Sequence, residues 1–231
     1  MKTKTKTEKV KKILSEIGEL SIIYQPIKQS LHEEVDENYV ETYDGEIMFS
    51  LFESNKESVI GKVRFVLVNM ERMMSDELNA SIDDVLFAGS SRNDYVTNLY
   101  QTLFEYETFD FKDEIEKQMG DLMGFNFVII SNLEILPEFR GFELGKEIIK
   151  HGYQFFTGKA QLLILKSFPK QLEPIENDEL WRAKMDYANM KKENAQKSLD
   201  KFYGKYMTKL KAQDGSISDS IFALNLNLKF D

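Results

Sequence analysis

Residues 125–145 read FNFVIISNLEILPEFRGFELG, and the architecture of the chain follows from them. Phe125, Phe127, Ile129, Leu133 and Ile135 alternate along an extended chain, so they share one face of a strand of roughly ten residues. Val128 and Ile130 fill the opposite face, which predicts a strand buried on both sides. Pro137 ends it, because proline has no amide hydrogen for a ladder. After Arg140-Gly141, the residues Leu144, Ile148, Gly152 and Phe155 mark one face of a helix that ends near Gly158. A strand thus runs into a helix N-terminus through one short turn.

Downstream, residues 162–165 read as the next strand, and residues 178–210 as a long helical stretch with room for one break. Residues 220–228 read as a final strand, with Phe222, Leu224, Leu226 and Leu228 against Ile221, Ala223, Asn225 and Asn227. Upstream, Val10, Ile13, Leu14 and Ile17 recur at helical spacing over residues 8–19. Tyr43-Asp44-Gly45 looks like a turn between strands. Residues 47–52 and 59–68 suggest an antiparallel pair joined through Ser54-Asn55-Lys56, with Val63, Phe65 and Leu67 alternating against Arg64 and Val66. Residues 69–120 are mostly helical in pattern, with Leu99, Leu103 and Tyr106 at spacings of four and three. The expectation is one domain over residues 1–231. It has an N-terminal helix to residue 19, strands with a helical insertion over 20–120, and a core over 121–231. Antiparallel strands followed by strand-helix alternation predict an α/β or α+β sheet with helices on its faces.

Composition narrows the functions. The chain has 231 residues, 42% of them apolar, with 17 Phe and 10 Tyr, which excludes a disordered chain. Cysteine is absent, so there is no disulfide, cysteine nucleophile or thiolate metal site, and a cytoplasmic protein is expected. The opening MKTKTKTEKVKK is basic but no apolar run follows, so it does not read as a secretory signal. No apolar stretch reaches membrane-spanning length. A net charge of −9 argues against nucleic-acid binding. It is compatible with a cationic or amine substrate, though ordinary solubility is the plainer and favoured reading.

The turn at residues 136–146 carries the chemistry. A helix N-terminus presents unpaired N–H groups and partial positive charge, and binds phosphates readily. Gly141 lets backbone approach a ligand, Arg140 can fork onto phosphate oxygens, and Lys146 adds a point charge. A plainer reading has Gly141 easing the bend and Gly145 letting the helix pack closely on the sheet. His32 and His151 are too far apart in sequence to form a metal signature, and His151 reads as exposed. Asp113, Glu114 and Glu116 read as a solvated helix face, and Trp181 as a buried anchor or a pocket wall. The chain has no Gly-x-Ser-x-Gly elbow and no Gly-x-x-x-x-Gly-Lys-Ser/Thr loop.

Residues 133–145 resemble the acetyl-CoA signature of the GCN5-related N-acetyltransferases: an apolar strand, a Pro, then Arg-x-x-Gly-x-Gly/Ala opening a helix. Leu199-Asp200-Lys201-Phe202-Tyr203-Gly204-Lys205-Tyr206 is similar to that family's late helix, which carries a tyrosine near the thiol. Glu143 stands where the family has its middle glycine, and Met207 where it has a glycine before Phe. The resemblance covers residues 124–228. It implies a mixed, mostly antiparallel twisted sheet with a splayed central parallel pair, and acetyl-CoA as acyl donor. Arg140 and the amides of Gly141, Phe142, Glu143, Leu144, Gly145 and Lys146 would hold the pyrophosphate. Main-chain groups of Leu133 and Ile135 would pair with the pantetheine arm. Transfer to an amine needs a base, for which Glu134 at the end of an apolar strand is the candidate, and Tyr203 is the implied acid. The expected function is direct acetyl transfer to a small-molecule or peptide amine, without a metal. The alternative is a non-catalytic protein of this fold that serves as an interaction or acyl-CoA-binding module. A homodimer is compatible with either.

Overall fold

The computed structural model describes residues 18–25, 39–51, 57–75, 99–100, 102–105, 110–169, 179–185, 191–211 and 220–230. Its strands are β1 (Gly18–Tyr24), β2 (Val40–Leu51), β3 (Glu57–Val68), β4 (Phe127–Ile135), β5 (Leu162–Lys166), β6 (Thr208–Lys209) and β7 (Ile221–Asn225). Its helices are α1 (Met70–Ser75), α2 (Asp113–Met119), α3 (Leu144–Phe156), α4 (Glu179–Met185) and α5 (Lys192–Tyr203). The strands form one sheet in the order β1-β2-β3-β4-β5-β7-β6. Every neighbouring pair is antiparallel except β4 and β5. The mixed α/β (α+β) class expected from the element order is therefore the class observed.

Two cores lie on opposite faces. On one, Val66, Val68, Phe127, Ile129, Leu162, Ile164, Ile221 and Ala223 pack against α1, α2 and the helical residues Leu99 and Leu103. On the other, Val63, Phe65, Leu67, Val128, Ile130, Leu163, Leu165 and Phe222 pack against α3 and the end of α5. Gly152 of α3 makes that second contact close, since a Cβ there would lie 2.8 Å from Phe65 Cε1. Leu136, Trp181 and Met185 form a small third cluster where α4 meets the end of β4.

Several expectations are corrected. Arg64 faces Asn132 but Phe65 faces Ile130, so Ser131 is an extra residue in β4. A bulge of this kind re-aims the side chains beyond it. Leu133 and Ile135 accordingly pack with Val128 and Ile130, not with Phe127 and Ile129. Tyr43-Asp44-Gly45 lies inside β2 and is no turn. Gly45 serves there because a Cβ would meet Ile22 Cγ2 of β1 at 2.8 Å. The β2–β3 pairing is as expected, while its connection at 52–56 lies outside the described residues. The N-terminal helix falls mostly outside them too, although Gly18 and Glu19 already belong to β1. The late helix stops at Tyr203, and Thr208 and Lys209 pair with β7. The final strand ends at Asn225, and Leu228 is exposed. Its second face is apolar as well, since Ile221 and Ala223 lie in the first core.

Candidate functional site

Parallel pairing of β4 with β5 runs only from Phe127↔Leu162 to Ile130↔Leu165. Beyond Ile130, β4 continues to Ile135 with β3 as its partner, while Lys166 pairs with β7. The β4–β5 ladder ends there, at the bulge, and leaves an opening in the hydrogen-bonded sheet beside residues 132–135 of β4. Leu136 N–H turns towards β3 and donates to the Ile60 carbonyl. Alternation of peptide groups along the strand turns those of Ile135 and Leu133 the other way, into the opening. The Ile135 carbonyl meets Arg140 Nε there, at 2.8 Å.

The turn after β4 brings the chain to the same opening. Pro137–Phe139 form a short 3-10 turn, and Gly141 and Glu143 take left-handed backbone angles of φ 84° and φ 63°. Glu143 is the N-cap of α3, and its own side chain makes no capping bond. The Lys146 N–H donates to the Glu143 carbonyl. The amides of Leu144 and Gly145 have no hydrogen-bond partner among the described residues. The amides of Gly141, Phe142 and Glu143 are likewise without a partner among the described residues, so of the six N–H groups of the turn that of Lys146 is the one engaged. Leu144 itself is buried in the second core, where Phe142 packs against it. The Glu143 side chain is exposed.

Arg140 differs from the expectation. Its Nε donates to Ile135 and its Nη2 to the Met185 carbonyl at 2.9 Å. One edge of the guanidinium is therefore committed to main-chain oxygens, and its Nη1 end is what remains to meet an anion. Gly145 also differs. A Cβ there would lie 2.8 Å from the Phe202 ring, so this glycine seats α5 against α3 and does not seat α3 on the sheet.

The end of α5 roofs the opening from the second core. Tyr203 is 5.9 Å from the Phe222 ring, and Phe222 pairs with Leu165, where β4 and β5 part. Burial pushes the Tyr203 phenol up to about 12. Tyr206 lies beside the turn: Lys146 Nζ is 5.4 Å from its ring, and burial, then the charges of Glu143 and Glu147, push its phenol up. Met207, where the family pattern has glycine, is buried in the second core.

Sequence reasoning missed the other side of the opening. On the face of the first core, cross-strand rows set Glu46 beside Lys62 beside Glu134, and Asp44 beside Arg64 beside Asn132. Arg64 and Asp44 are bridged at 2.6 Å. This polar band lies between the first core and the small third cluster. Lys62 and Arg64 share a strand face with Val66 and Val68, and a face that changes character halfway along a strand was the available signal. Glu134 stands within the band, partly buried. Trp181 Nε1 donates to its Oε2 at 2.9 Å, and Lys62 Nζ lies 4.7 Å from the Trp181 ring.

The remaining candidates separate from this site. His151 is half-buried, not exposed. It stacks on Tyr24 and Phe155, its Nε2 is 2.8 Å from Tyr24 Oη, and burial lowers its pKa. His32 lies outside the described residues. Asp113 and Glu116 are exposed on α2. Among the described residues no cluster of His, Asp or Glu could hold a metal, and no helix is long and apolar enough to cross a membrane. Comparison of the chain with protein-family models, curated proteins and solved structures finds no match.

Proposed function

We propose that this chain is an N-acyltransferase of the GCN5-related type, taking an acetyl group from acetyl-CoA and passing it directly to an amine. One observation carries the reading. The ladder between β4 and β5 ends at Ile130, and the stretch of β4 beyond it leads, through left-handed turns at Gly141 and Glu143, to the N-terminus of α3. An extended, amide-bearing pantetheine arm can add to the Leu133 edge as a strand would. Pyrophosphate suits the Leu144 and Gly145 amides, with Lys146 and the Nη1 end of Arg140 adding charge.

The amine approaches across the polar band. Its nitrogen attacks the thioester carbonyl carbon, a C–N bond forms, the C–S bond breaks, and the nitrogen's proton passes to Glu134 directly or through water. Tyr203 takes a narrower role than general acid. A phenol at about 12 is a far weaker acid than a thiol at ~8.5, so full proton transfer to the thiolate runs uphill. Tyr203 instead donates a hydrogen bond to the departing sulfur, and the thiolate takes its proton from water.

Calorimetry with acetyl-CoA tests the reading, with binding expected in the micromolar range. A folded protein that shows no heat of binding at millimolar cofactor would sink it. Two observations favour a second reading, a non-catalytic acyl-CoA-binding or interaction module: the carboxylate of Glu143 at the anion-binding turn, and the engagement of Arg140 by carbonyls. Binding of coenzyme A without transfer to any of a broad panel of amines would select it.

A further inference from the structure

We infer that Trp181 is a positioning residue for Glu134, and that α4 is the element that fixes the proton-accepting end of the site. The inference rests on the acyl-transfer reading. A carboxylate on a strand end can swing through several rotamers, and a base must be held within reach of the proton it takes. Trp181 Nε1 donates to Glu134 Oε2 at 2.9 Å. An indole nitrogen is a donor only, so the direction of this bond is unambiguous and the carboxylate must accept. The side-chain amide of Asn132 lies at 3.5 Å from the same oxygen, a much weaker restraint.

The donor is itself anchored at two points. Trp181 and Met185 stand one helical turn apart on α4, and both are buried against Leu136, with Val59 and Phe139 around them. Arg140 then bridges the strand to the helix, with Nε on the Ile135 carbonyl and Nη2 on the Met185 carbonyl. Rotation of α4 would break the Arg140 bridge and the Trp181 bond together. Lys62 Nζ of β3 lies over the indole face, 4.7 Å from the ring centroid, and Lys62 stands opposite Glu134 on one side and Glu46 of β2 on the other. The indole thus lies over a row of alternating charge and holds its one carboxylate on β4.

Packing alone would explain a buried tryptophan, and phenylalanine can satisfy packing. The discriminating variant is therefore Trp181→Phe, assayed in the full chain with acetyl-CoA and any primary amine that the wild type acetylates from a panel of amino acids, polyamines and lysine peptides. The expected result is a fall in kcat of roughly tenfold or more, with KM for acetyl-CoA held within about twofold. Trp181→His, which keeps a ring N–H, should recover part of the loss. Unchanged kcat in Trp181→Phe would overturn the role. So would a joint loss of kcat and calorimetric coenzyme A affinity, the mark of a loosened fold. A wild type that acetylates nothing removes the acyl-transfer reading instead, which is a different outcome. Trp181 is the sole tryptophan, so one indole N–H resonance reports the bond without any assay. Glu134→Gln should move that resonance upfield, and an unmoved signal would overturn the contact itself.

Discussion

Glu143 is where backbone conformation and side-chain identity disagree. Its φ of 63° puts an acidic residue in a left-handed conformation that favours glycine, at the position where the resembled pattern has its middle glycine. Glu143→Gly should stabilise the fold by about 1 kcal/mol, read as a higher denaturant midpoint at unchanged slope. On the acyl-transfer reading it should also tighten coenzyme A binding, since it removes a negative charge beside the N-terminus of α3. A lower midpoint would show that the Glu143 side chain makes compensating contacts. Arg140→Ala should weaken coenzyme A less than a direct phosphate ligand would, because half its fork holds carbonyls. It should also lower thermal stability by loosening α4, whereas a variant that loses affinity alone would restore the phosphate role in full. The strand-to-helix turn at Arg140 and Gly141 was legible because a proline and a charged, glycine-bearing stretch between two apolar segments has a local signature. The Trp181–Glu134 bond was not, because it joins residues 47 apart in sequence, brought together by the return of α4 to the end of β4.

Strand periodicity was a good guide to the elements until a bulge interrupted it. Alternation correctly marks β4 as buried on both faces through Ile130, and then fails, because one extra residue at Ser131 reverses every later side chain. The failure falls at the opening itself, where the strand must leave β5. The same logic explains Tyr43-Asp44-Gly45, whose composition reads as a turn while tertiary packing asks for a small residue beneath β1. Glycines on α3 divide by their neighbours. Gly152→Ala would drive a Cβ to 2.8 Å from Phe65 and 3.4 Å from Leu163, in the middle of the core. A loss of about 1–3 kcal/mol is expected in chemical denaturation. Gly145→Ala meets the Phe202 ring near the end of α5 instead. Its cost should appear mainly as weaker coenzyme A binding, because Phe202 carries Tyr203 with it. Equal stability losses in the two variants would contradict that division.

At the scale of the molecule, the order of strands and helices gave the mixed sheet, because connections between parallel neighbours need a crossover helix and antiparallel ones do not. What order could not give was the tethering of α5, which brings Tyr203 to the opening. A polar network does this. Asp200 of α5 accepts from Lys209 Nζ of β6 at 2.7 Å, from Ser220 Oγ ahead of β7 at 2.7 Å, and from Gln196 Nε2 at 2.7 Å, and Gln196 in turn reaches Ser167 at the end of β5. Burial pushes the Asp200 carboxyl up, but the hydrogen bonds from Lys209, Ser220, Gln196 and Ser167 outweigh it and bring it down to about 2, from 3.8. Unfolding returns it to the ordinary value, so the folded state holds the proton less tightly. The stabilisation is fully present above pH 3.8 and is lost as pH falls towards 2. Asp200→Asn removes the ionisable group while keeping its shape. The melting-temperature gap between wild type and this variant should be constant from neutral pH down to about pH 5, and then narrow steadily as acid protonates the wild-type carboxyl. A gap that stays the same width down to pH 2.5 would show that the network holds α5 by packing and neutral hydrogen bonds, with no contribution from the charge on Asp200.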